Sequence, residues 1–558
     1  MSDFIASHHA VVKQLTGPGA PFEVVEFPRG GHTVKAYKNA PASLLDILNQ
    51  GREFGEQLFI DTAQQQFTFE QFFTASDHLS SYLVHSVGIG QGDRVAIAMR
   101  NSAEWLISFN AIISCGAVVV PLNSWGRAEE LHQGLQDSGA KLVICDKTRQ
   151  EFIAPEEFGI DYILNDPQQS GAHSWQHALL EGAQLPAVSV QIAGTDEAIL
   201  LFTSGTSGQP KGALFNHFNC AQALFNIELI GAATYMTNTD LQNAYMAKQI
   251  PAKTLLAVPL FHISGLFSQF IVNLKYGRAI YLMNKWDAAE AERLVKEAGI
   301  TVLMGAPTML IDILERGNIS QEEASRISNM SAGGSATPSK LYDLYDQHLP
   351  ESMAGAGWGL TESGGTGAAF TGPVVRERRG ASGFISPIVE FKFLDAQGNN
   401  LPDGEPGEIW IRSSSTVDRY ISGANDGSDF EDGWFNSGDI GYISEEGLLY
   451  LCDRSKDMII RGGENIYPVE IENCLLSLNG VAEAAVVGIP CEHYGEKVAA
   501  VVRKSDNGLN QEAVMAYCQQ HLAGFKVPAE VVFTRTELPR NATKKLLKAA
   551  IIDAYFGG

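Results

Sequence analysis

The stretch TSGTSGQPKG, residues 203–212, directly follows the apolar run AILLF. It combines small hydroxyl residues, three glycines and one lysine in ten positions. Residues without bulk let backbone N–H groups approach anionic oxygens, while hydroxyls add donors and the lysine adds charge. A flexible surface turn can have the same composition, so the stretch alone leaves a phosphate site and a plain turn both open.

The spacing within this stretch argues against one kind of phosphate loop. Lys211 follows Gly205 by six residues, which is the interval of a Walker A loop. The residue before the lysine is Pro210 rather than glycine, and the residue after it is Gly212 rather than serine or threonine. A Walker-type NTPase is therefore disfavoured.

Length and charge limit the class of protein. A chain of 558 residues that is 45% apolar is too long for one core and should form two or more domains. Forty basic against 64 acidic residues give a formal charge of −24, which argues against nucleic-acid binding. The N-terminal residues do not resemble a secretory signal, and the apolar region 105–123 is interrupted by Asn110, Gly116 and Pro121. We expect a cytoplasmic protein without a transmembrane segment.

Hydrophobic periodicity predicts an α/β fold with parallel sheets. Apolar runs at 93–99, 141–146, 279–284 and 301–305 read as buried strands and alternate with helix-period stretches such as 67–86. After about residue 385, short strands joined by QGNN and PDGEPG turns predict a β-rich subdomain extending to about 452. The last hundred residues predict a separate, compact α+β unit.

Taken whole, the opening stretch resembles the phosphate loop of the adenylate-forming superfamily, which includes acyl-CoA synthetases, luciferases and adenylation domains. It departs from the family pattern only by Ser207 in place of threonine, and five further motifs follow in the family's order. The resemblance implies an N-terminal domain over 1–452, a hinge over 453–457 and a mobile C-terminal domain over 458–558. It also implies that the loop binds ATP, with Lys211 and Thr206 catalytic, through these residues: Thr203, Ser204, Gly205, Thr206, Ser207, Gly208 and Lys211.

The second motif, PLFHISG at 259–265, contains His262. By resemblance, His262 is a catalytic residue at the acyl-binding end of the pocket, near the pyrophosphate side. A histidine at this position is also common at the start of a helix, so an ordinary structural role stays open.

The third motif, GWGLTES at 357–363, carries a carboxylate after a threonine in a glycine-rich loop. Such a carboxylate can bind Mg²⁺ beside nucleotide phosphates, and the resemblance implies this catalytic and metal-binding role for Glu362. It further implies that Thr361 contacts phosphate and that Trp358 packs against adenine, although plain core packing would also explain Trp358. The nucleotide pocket implied by the family is completed by Gly333, Gly334, Ser335 and Gly359.

The fourth and fifth motifs follow one another between residues 434 and 472. The resemblance implies that Asp439 and Arg454 bind the ribose hydroxyls and that Lys456 is the hinge of the C-terminal domain. It also implies that Gly462 and Gly463 line the pantetheine tunnel, because glycines let the backbone approach a thin ligand. A tight hairpin would also explain the two glycines, but the match of the motif over some twenty positions favours the functional role.

The last motif, LPRNATKKLLKAAI at 538–551, resembles the end motif of the family. The catalytic lysine implied by it is Lys545, which would bridge the substrate carboxylate and the α-phosphate. The residue before it is Lys544 where the family has glycine. This departure should stiffen the loop or add a second cation.

Together the motifs predict an acyl-CoA synthetase that uses ATP, Mg²⁺ and coenzyme A. The apolar residues around the second motif favour a medium- or long-chain fatty acid, and an aryl acid is the alternative. Other hypotheses are an acyl-AMP ligase that loads a carrier protein, a β-lactone-forming or luciferase-type relative, and a non-catalytic acyl-CoA or nucleotide sensor. A homodimer is left open.

Overall fold

The computed structural model describes residues 2–203, 210–421, 429–462, 464–491, 493–505, 508–541 and 544–557. It has a mixed α/β architecture with parallel sheets and β-rich parts in a large N-terminal region and a smaller C-terminal unit. The predicted fold class is confirmed. Among the described residues, no helix is both long enough and apolar enough to cross a bilayer.

The strands are numbered in chain order. They are β1 Val24–Arg29, β2 His32–Tyr37, β3 Leu58–Asp61, β4 Gln66–Thr68, β5 Arg94–Ala98, β6 Val118–Pro121, β7 Leu142–Asp146, β8 Asp161–Asn165, β9 Glu197–Thr203, β10 Lys211–Asn216, β11 Lys253–Leu256, β12 Ala279–Leu282, β13 Val302–Gly305, β14 Asn329–Ala332, β15 Met353–Trp358, β16 Ala368–Thr371, β17 Ala381–Ile385, β18 Val389–Leu394, β19 Gly407–Ser413, β20 Phe430–Glu431, β21 Trp434–Ile443, β22 Leu448–Arg454, β23 Ile459–Arg461, β24 Glu464–Ile466, β25 Val481–Cys491, β26 Gly495–Lys504 and β27 Glu530–Thr534.

The α-helices are numbered in the same way. They are α1 Ser2–Thr16, α2 Leu44–Asn49, α3 Phe69–Tyr82, α4 Ala103–Ser114, α5 Ala128–Ser138, α6 Lys147–Ile153, α7 Pro155–Phe158, α8 Trp175–Gly182, α9 His217–Thr237, α10 Thr239–Ala247, α11 Val272–Lys275, α12 Ala288–Glu297, α13 Pro307–Glu315, α14 Gln321–Ala324, α15 Ser339–His348, α16 Val374–Glu377, α17 Pro468–Leu476, α18 Gln511–His521 and α19 Lys548–Tyr555.

Two sheets form the N-terminal region. The first has the strand order β10-β9-β6-β5-β7-β8, and its strands β5 to β8 are parallel neighbours. The second has the order β18-β19-β21-β22-β17-β16-β15-β14-β13-β11-β12-β3-β4, with β20 beside β21. It is parallel from β15 to β3 and antiparallel from β15 through β18. The antiparallel half agrees with the predicted β-rich texture.

The predicted helix over 67–86 shows why these elements form where they do. Thr68 caps α3, because its side chain accepts from the Gln71 backbone N–H while the Gln71 side chain accepts from the Thr68 backbone. The face predicted to be apolar is buried, with Phe72 and Leu79 fully enclosed. A π-helical turn, Leu83–Val87, then closes at Gly88, whose φ of 81° lies in the left-handed region.

The C-terminal unit has its own apolar core. Its sheet has the order β24-β23-β26-β25, with β27 beside β26. Ile471 of α17 belongs to the same buried apolar cluster as Val486 and Val502 of this sheet. Among the described residues, the apolar clusters of the N-terminal region end at Leu451 and those of the C-terminal unit begin at Ile459. The hinge predicted between these two residues stays a prediction.

Candidate active site

A large cavity of about 2380 Å³ lies between the second sheet, helix α9 and the C-terminal unit. Many residues predicted to form the site line it, and they come from distant parts of the chain. They are Thr203, Lys211, His262, Gly333, Gly334, Trp358, Gly359, Thr361, Glu362, Arg454, Lys456 and Lys545. Asp439 is buried directly behind this surface, whereas Ser335 is exposed and lies outside it.

The two ends of the glycine-rich loop lie side by side. Thr203 ends β9 and Lys211 begins β10, and the two residues pair across antiparallel strands. The hydroxyl of Thr203 donates to the Lys211 carbonyl at 3.4 Å. The residues predicted between them, namely Ser204, Gly205, Thr206, Ser207 and Gly208, lie outside the described residues, as does Gly463 of the later motif.

Lys211 belongs to a polar cluster that the motifs did not predict. Its Nζ forms an ion pair with the carboxylate of Asp429 and lies 5.0 Å from the centre of the Tyr420 ring. The segment that carries Tyr420 runs along β10, since the Ile421 N–H donates to the Gly212 carbonyl at 2.9 Å. The hydroxyl of Tyr420 in turn donates to Glu362 Oε1 at 2.6 Å. Four side chains thus connect the glycine-rich loop to the third motif.

Glu362 sits in the 3₁₀ turn Thr361–Ser363 and is only 8% exposed. Burial raises the pKa of its carboxyl, while the hydrogen bond from Tyr420 and the charge of Arg454 oppose that shift. The turn needs the glycine before it, because a Cβ on Gly359 would collide with the Gly365 carbonyl oxygen. A carboxylate held on the cavity wall, with the carboxylate of Asp429 near enough to raise its pKa, is a hard oxygen donor that fits Mg²⁺.

Trp358, Asp439 and Arg454 form a second polar cluster at the floor of the cavity. The indole N–H of Trp358 donates to Asp439 Oδ2 at 2.8 Å, and Arg454 Nε lies 2.8 Å from Asp439 Oδ1. Asp439 and Arg454 are cross-strand partners on β21 and β22, which fixes their ion pair. The sequence predicted that these residues share a pocket, and the structure adds the hydrogen bond from Trp358, which joins the two motifs.

Lys545 reaches the same floor from the C-terminal unit. Burial, with the nearby charge of Arg454, lowers the pKa of its ammonium group to about 8, and the charges of Asp439 and Asp457 act in the opposite direction. Its backbone N–H donates to Asn541 Oδ1 at 2.9 Å. The C-terminal unit is therefore oriented so that the lysine of the end motif faces the polar cluster around Asp439.

Lys544 adopts a backbone conformation that suits the glycine it replaces. Its φ is 65°, in the left-handed region where a side chain is strained. Two hydrogen bonds hold this conformation: the Lys544 N–H donates to the Asn541 carbonyl at 3.0 Å, and Arg540 Nη1 donates to the Lys544 carbonyl at 2.6 Å. Lys544 thus keeps the backbone conformation of a glycine turn, and this conformation costs backbone strain. Its side chain lines the cavity and adds a cation there.

His262 precedes a π-helical segment, Ser264–Ile271, which walls the cavity. Burial lowers the pKa of its imidazole to about 4, so the ring is neutral at physiological pH. Gly265 allows this segment to pack closely, because a Cβ there would lie 2.7 Å from the Pro259 carbonyl oxygen. A structural role at the start of a helix and a catalytic role in the cavity are both compatible with this position, since His262 precedes a helical segment and also lines the cavity.

Beyond His262 the cavity continues along one face of the second sheet. Its lining there includes Met304 of β13, Ser331 of β14, Gln269 and Val272. At the far end it reaches Tyr276 and Arg278, next to the beginning of β12. None of these residues was singled out from the sequence, because isolated residues of strands and loops carry no motif. Gly462, with a φ of 61° and its N–H bonded to the Tyr494 carbonyl, lies outside the cavity.

This combination of fold and site is that of the AMP-binding enzyme family, and the chain belongs to it. The sequence model of the AMP-binding enzyme matches residues 48–421, and that of the AMP-binding enzyme C-terminal domain matches residues 470–545. The resemblance inferred from the motifs is therefore confirmed.

Individual relatives and solved structures show which members of this family the chain is similar to. The chain is 31% identical over 495 residues to the long-chain-fatty-acid–CoA ligase FadD13 of Mycobacterium tuberculosis, covering 88% of this chain and 93% of the relative. It is 30% identical to a 2-succinylbenzoate–CoA ligase of Bacillus cereus, covering 88% and 94%. ATP-bound MatB from Rhodopseudomonas palustris superposes with a TM-score of 0.79 at 27% identity, covering 91% of this chain and 99% of that one. MenE of Bacillus subtilis with ATP and magnesium ion gives 0.73 at 27% identity, covering 90% and 98%.

Proposed function

We propose that this chain is an AMP-forming acyl-CoA synthetase that uses ATP, Mg²⁺ and coenzyme A. Its substrate in this proposal is a medium- or long-chain fatty acid. The observation that carries the proposal is that Lys211, Glu362 and Lys545, from three distant motifs, line one cavity. The names of the relatives, which are CoA ligases of a fatty acid and of 2-succinylbenzoate, support the same class of reaction.

In the first half-reaction, a carboxylate oxygen of the acid attacks the α-phosphorus of ATP. The bond from that phosphorus to the bridging oxygen of pyrophosphate breaks, which yields acyl-AMP. Lys545 would hold its ammonium group beside the charge that develops on the α-phosphate, and Lys211 would leave Asp429 for the departing pyrophosphate. Such positioned cations act without any covalent bond to the protein. Glu362 would hold Mg²⁺, which supplies neutralising charge to the phosphates when bound.

In the second half-reaction, the thiol sulfur of coenzyme A attacks the acyl carbonyl, and AMP leaves with the electrons of the broken C–O bond. The geometry described here suits the first step, because Lys545 faces the Asp439 cluster while Gly462 lies outside the cavity. The second step therefore requires a rotation at Lys456 that withdraws Lys545 and brings Gly462 and Gly463 towards the acyl-AMP.

The shape of the cavity supports a chain-like acid. It extends from His262 along the second sheet to the beginning of β12. Its far end is rimmed by the exposed apolar side chains of Tyr235, Met246 and Tyr276. An extended alkyl chain would fill such a passage and remove its apolar surface from water.

The test is a pyrophosphate-release assay with a series of saturated fatty acids and aryl acids, each with and without coenzyme A. We expect pyrophosphate with fatty acids, and AMP and the thioester only when coenzyme A is added. Acyl-AMP that is transferred to a carrier protein but not to coenzyme A would contradict the choice of acceptor. Pyrophosphate with aryl acids alone would contradict the choice of acid, and no pyrophosphate with any acid would favour a sensor.

A further inference from the structure

Arg278 occupies the end of the cavity that is remote from the nucleotide site. It immediately precedes β12, whereas Gly305 and Ala332, beside the nucleotide end, close β13 and β14. Since β11 to β14 run parallel, the beginnings of these strands lie at the opposite edge of the sheet from their ends. Arg278 and Met283 flank β12 and are separated by roughly 17 Å along the strand direction.

The ionisable groups around Arg278 leave its charge uncompensated. Lys275 and Glu228 form an ion pair with each other, and their side chains are 12% and 8% exposed. Tyr276 contacts Arg278 through its ring, 5.3 Å from the guanidinium carbon, and carries no charge at neutral pH. Among the residues that the structure describes, none forms a hydrogen bond or an ion pair with the guanidinium of Arg278.

Such an arrangement is unusual for a largely enclosed arginine. Burial lowers the pKa of Arg278, and its neighbour Tyr276 offsets this only in part. A guanidinium that is partly withdrawn from water loses part of its hydration, and an anion bound to it would replace the lost interactions. The guanidinium has five N–H donors in a planar fork that matches a carboxylate. Its nitrogens are reachable from the cavity, since none of them belongs to the fully enclosed, unpartnered polar atoms of the described chain.

We propose that Arg278 binds a second carboxylate at the far end of the substrate, so that the preferred acid is a long α,ω-dicarboxylic acid. This inference rests on the proposed acyl-CoA synthetase activity and names the substrate class of its acyl cavity. The carboxyl that reacts with ATP lies at the end of the cavity near His262, and the methylene chain runs past Val272 and Met304, which line the cavity. The distal carboxylate then supplies the counter-charge that Arg278 lacks among the described residues.

The experiment compares three acids with the same carbon backbone by pyrophosphate release: dodecanoic acid, dodecanedioic acid and the monomethyl ester of dodecanedioic acid. For the parent enzyme we expect kcat/KM for the diacid to exceed that for the ester, which has the same backbone but lacks the distal charge, by about 10- to 100-fold. Arg278→Met should remove this preference through a rise in KM for the diacid alone, and Arg278→Lys should retain part of it.

Arg127→Met is the matched control, because Arg127 is exposed and lies outside the cavity; it should leave the preference unchanged. Thermal unfolding of each variant verifies that it is folded. Equal kcat/KM for the three acids in the parent enzyme, or an equal loss for all three in folded Arg278→Met, would overturn the role of Arg278 while leaving the synthetase intact. No pyrophosphate from any acid would overturn the synthetase and this inference together.

Discussion

At the scale of single residues, we expect the replacement of Lys545 to slow one half-reaction and to leave the other unchanged. Replacing it by alanine removes one positioned cation from the place where charge develops, and such losses cost about 10²–10³ in rate. We expect Lys545→Ala to lose pyrophosphate release to this extent while converting supplied acyl-AMP and coenzyme A to thioester at the parental rate. Pyrophosphate release close to that of the parent would mean that Lys544 or another group provides the cation.

The lowered pKa of Lys545 also predicts a pH dependence. The ammonium group is charged below its pKa of about 8 and neutral above it. Because the proposed first half-reaction uses the charged form of Lys545, kcat/KM for ATP should be constant at lower pH and fall about tenfold per pH unit above 8. Lys545→Arg stays protonated throughout this range and should lack the fall. A parental profile that is flat up to pH 10 would contradict the assignment.

The same residues show what sequence can and cannot predict. Lys545 and Glu362 were predicted because each lies in a contiguous motif whose pattern is local. Tyr420 and Asp429 were missed, although they contact Glu362 and Lys211, because these contacts join residues 58 and 218 positions apart. Tyr420 and Asp429 come close to Glu362 and Lys211 only because the segment that carries Tyr420 runs beside β10. Arg278 was missed because it belongs to no motif, and only the path of the cavity past the beginning of β12 singles it out.

At the scale of elements, the turn between β22 and β23 is the predicted hinge. Lys456 is exposed, and its N–H donates no backbone hydrogen bond to any of the described residues. The flanking N–H groups do: that of Ser455 donates to the Gly438 carbonyl, and that of Asp457 donates to the Arg454 carbonyl. A proline at 456 would therefore fix φ without breaking a recorded hydrogen bond. It would oppose the rotation needed for the second step.

We accordingly expect Lys456→Pro to release pyrophosphate at close to the parental rate, to accumulate acyl-AMP, and to form thioester at least tenfold more slowly. Single-turnover measurements of each half-reaction separate these effects. Lys456→Ala is the control, because it removes the same side chain and leaves φ free. Equal thioester rates for the proline and alanine variants would show that the rotation does not occur at this residue.

Most of the elements themselves follow from local pattern. The apolar runs predicted as strands became β5, β7, β12 and β13, and the amphipathic stretch became α3. The order of the strands in the sheet could not be predicted from local pattern. For example, β12 lies between β11 and β3, and β3 comes from a part of the chain more than 200 residues earlier. Long-range pairing of this kind depends on which faces are buried together rather than on any short sequence.

At the scale of the whole molecule, the apolar cores on the two sides of residues 453–457 are separate among the described residues. A chain truncated after residue 457 should therefore retain a folded N-terminal region with a cooperative thermal transition. It should bind ATP through Lys211 and the Asp439 cluster but release pyrophosphate at least about 10²-fold more slowly with every acid, since Lys545 is missing. Calorimetry and the pyrophosphate assay test the two statements separately. Loss of the cooperative transition would show that the cores depend on each other.

The hydrogen bond between Trp358 and Asp439 should make the fluorescence of Trp358 sensitive to what binds in the cavity. An indole whose N–H is held by a carboxylate emits light at a wavelength that depends on that carboxylate's electric field. A nucleotide that stacks on the ring, or ribose hydroxyls that compete for Asp439, would change both the colour and the intensity of the emission. The chain contains seven tryptophans, so the difference between the parent and Trp358→Phe isolates this one fluorophore. Binding of a nucleotide beside Trp358 can then be followed in real time without a label, which tests the proposed adenine site directly.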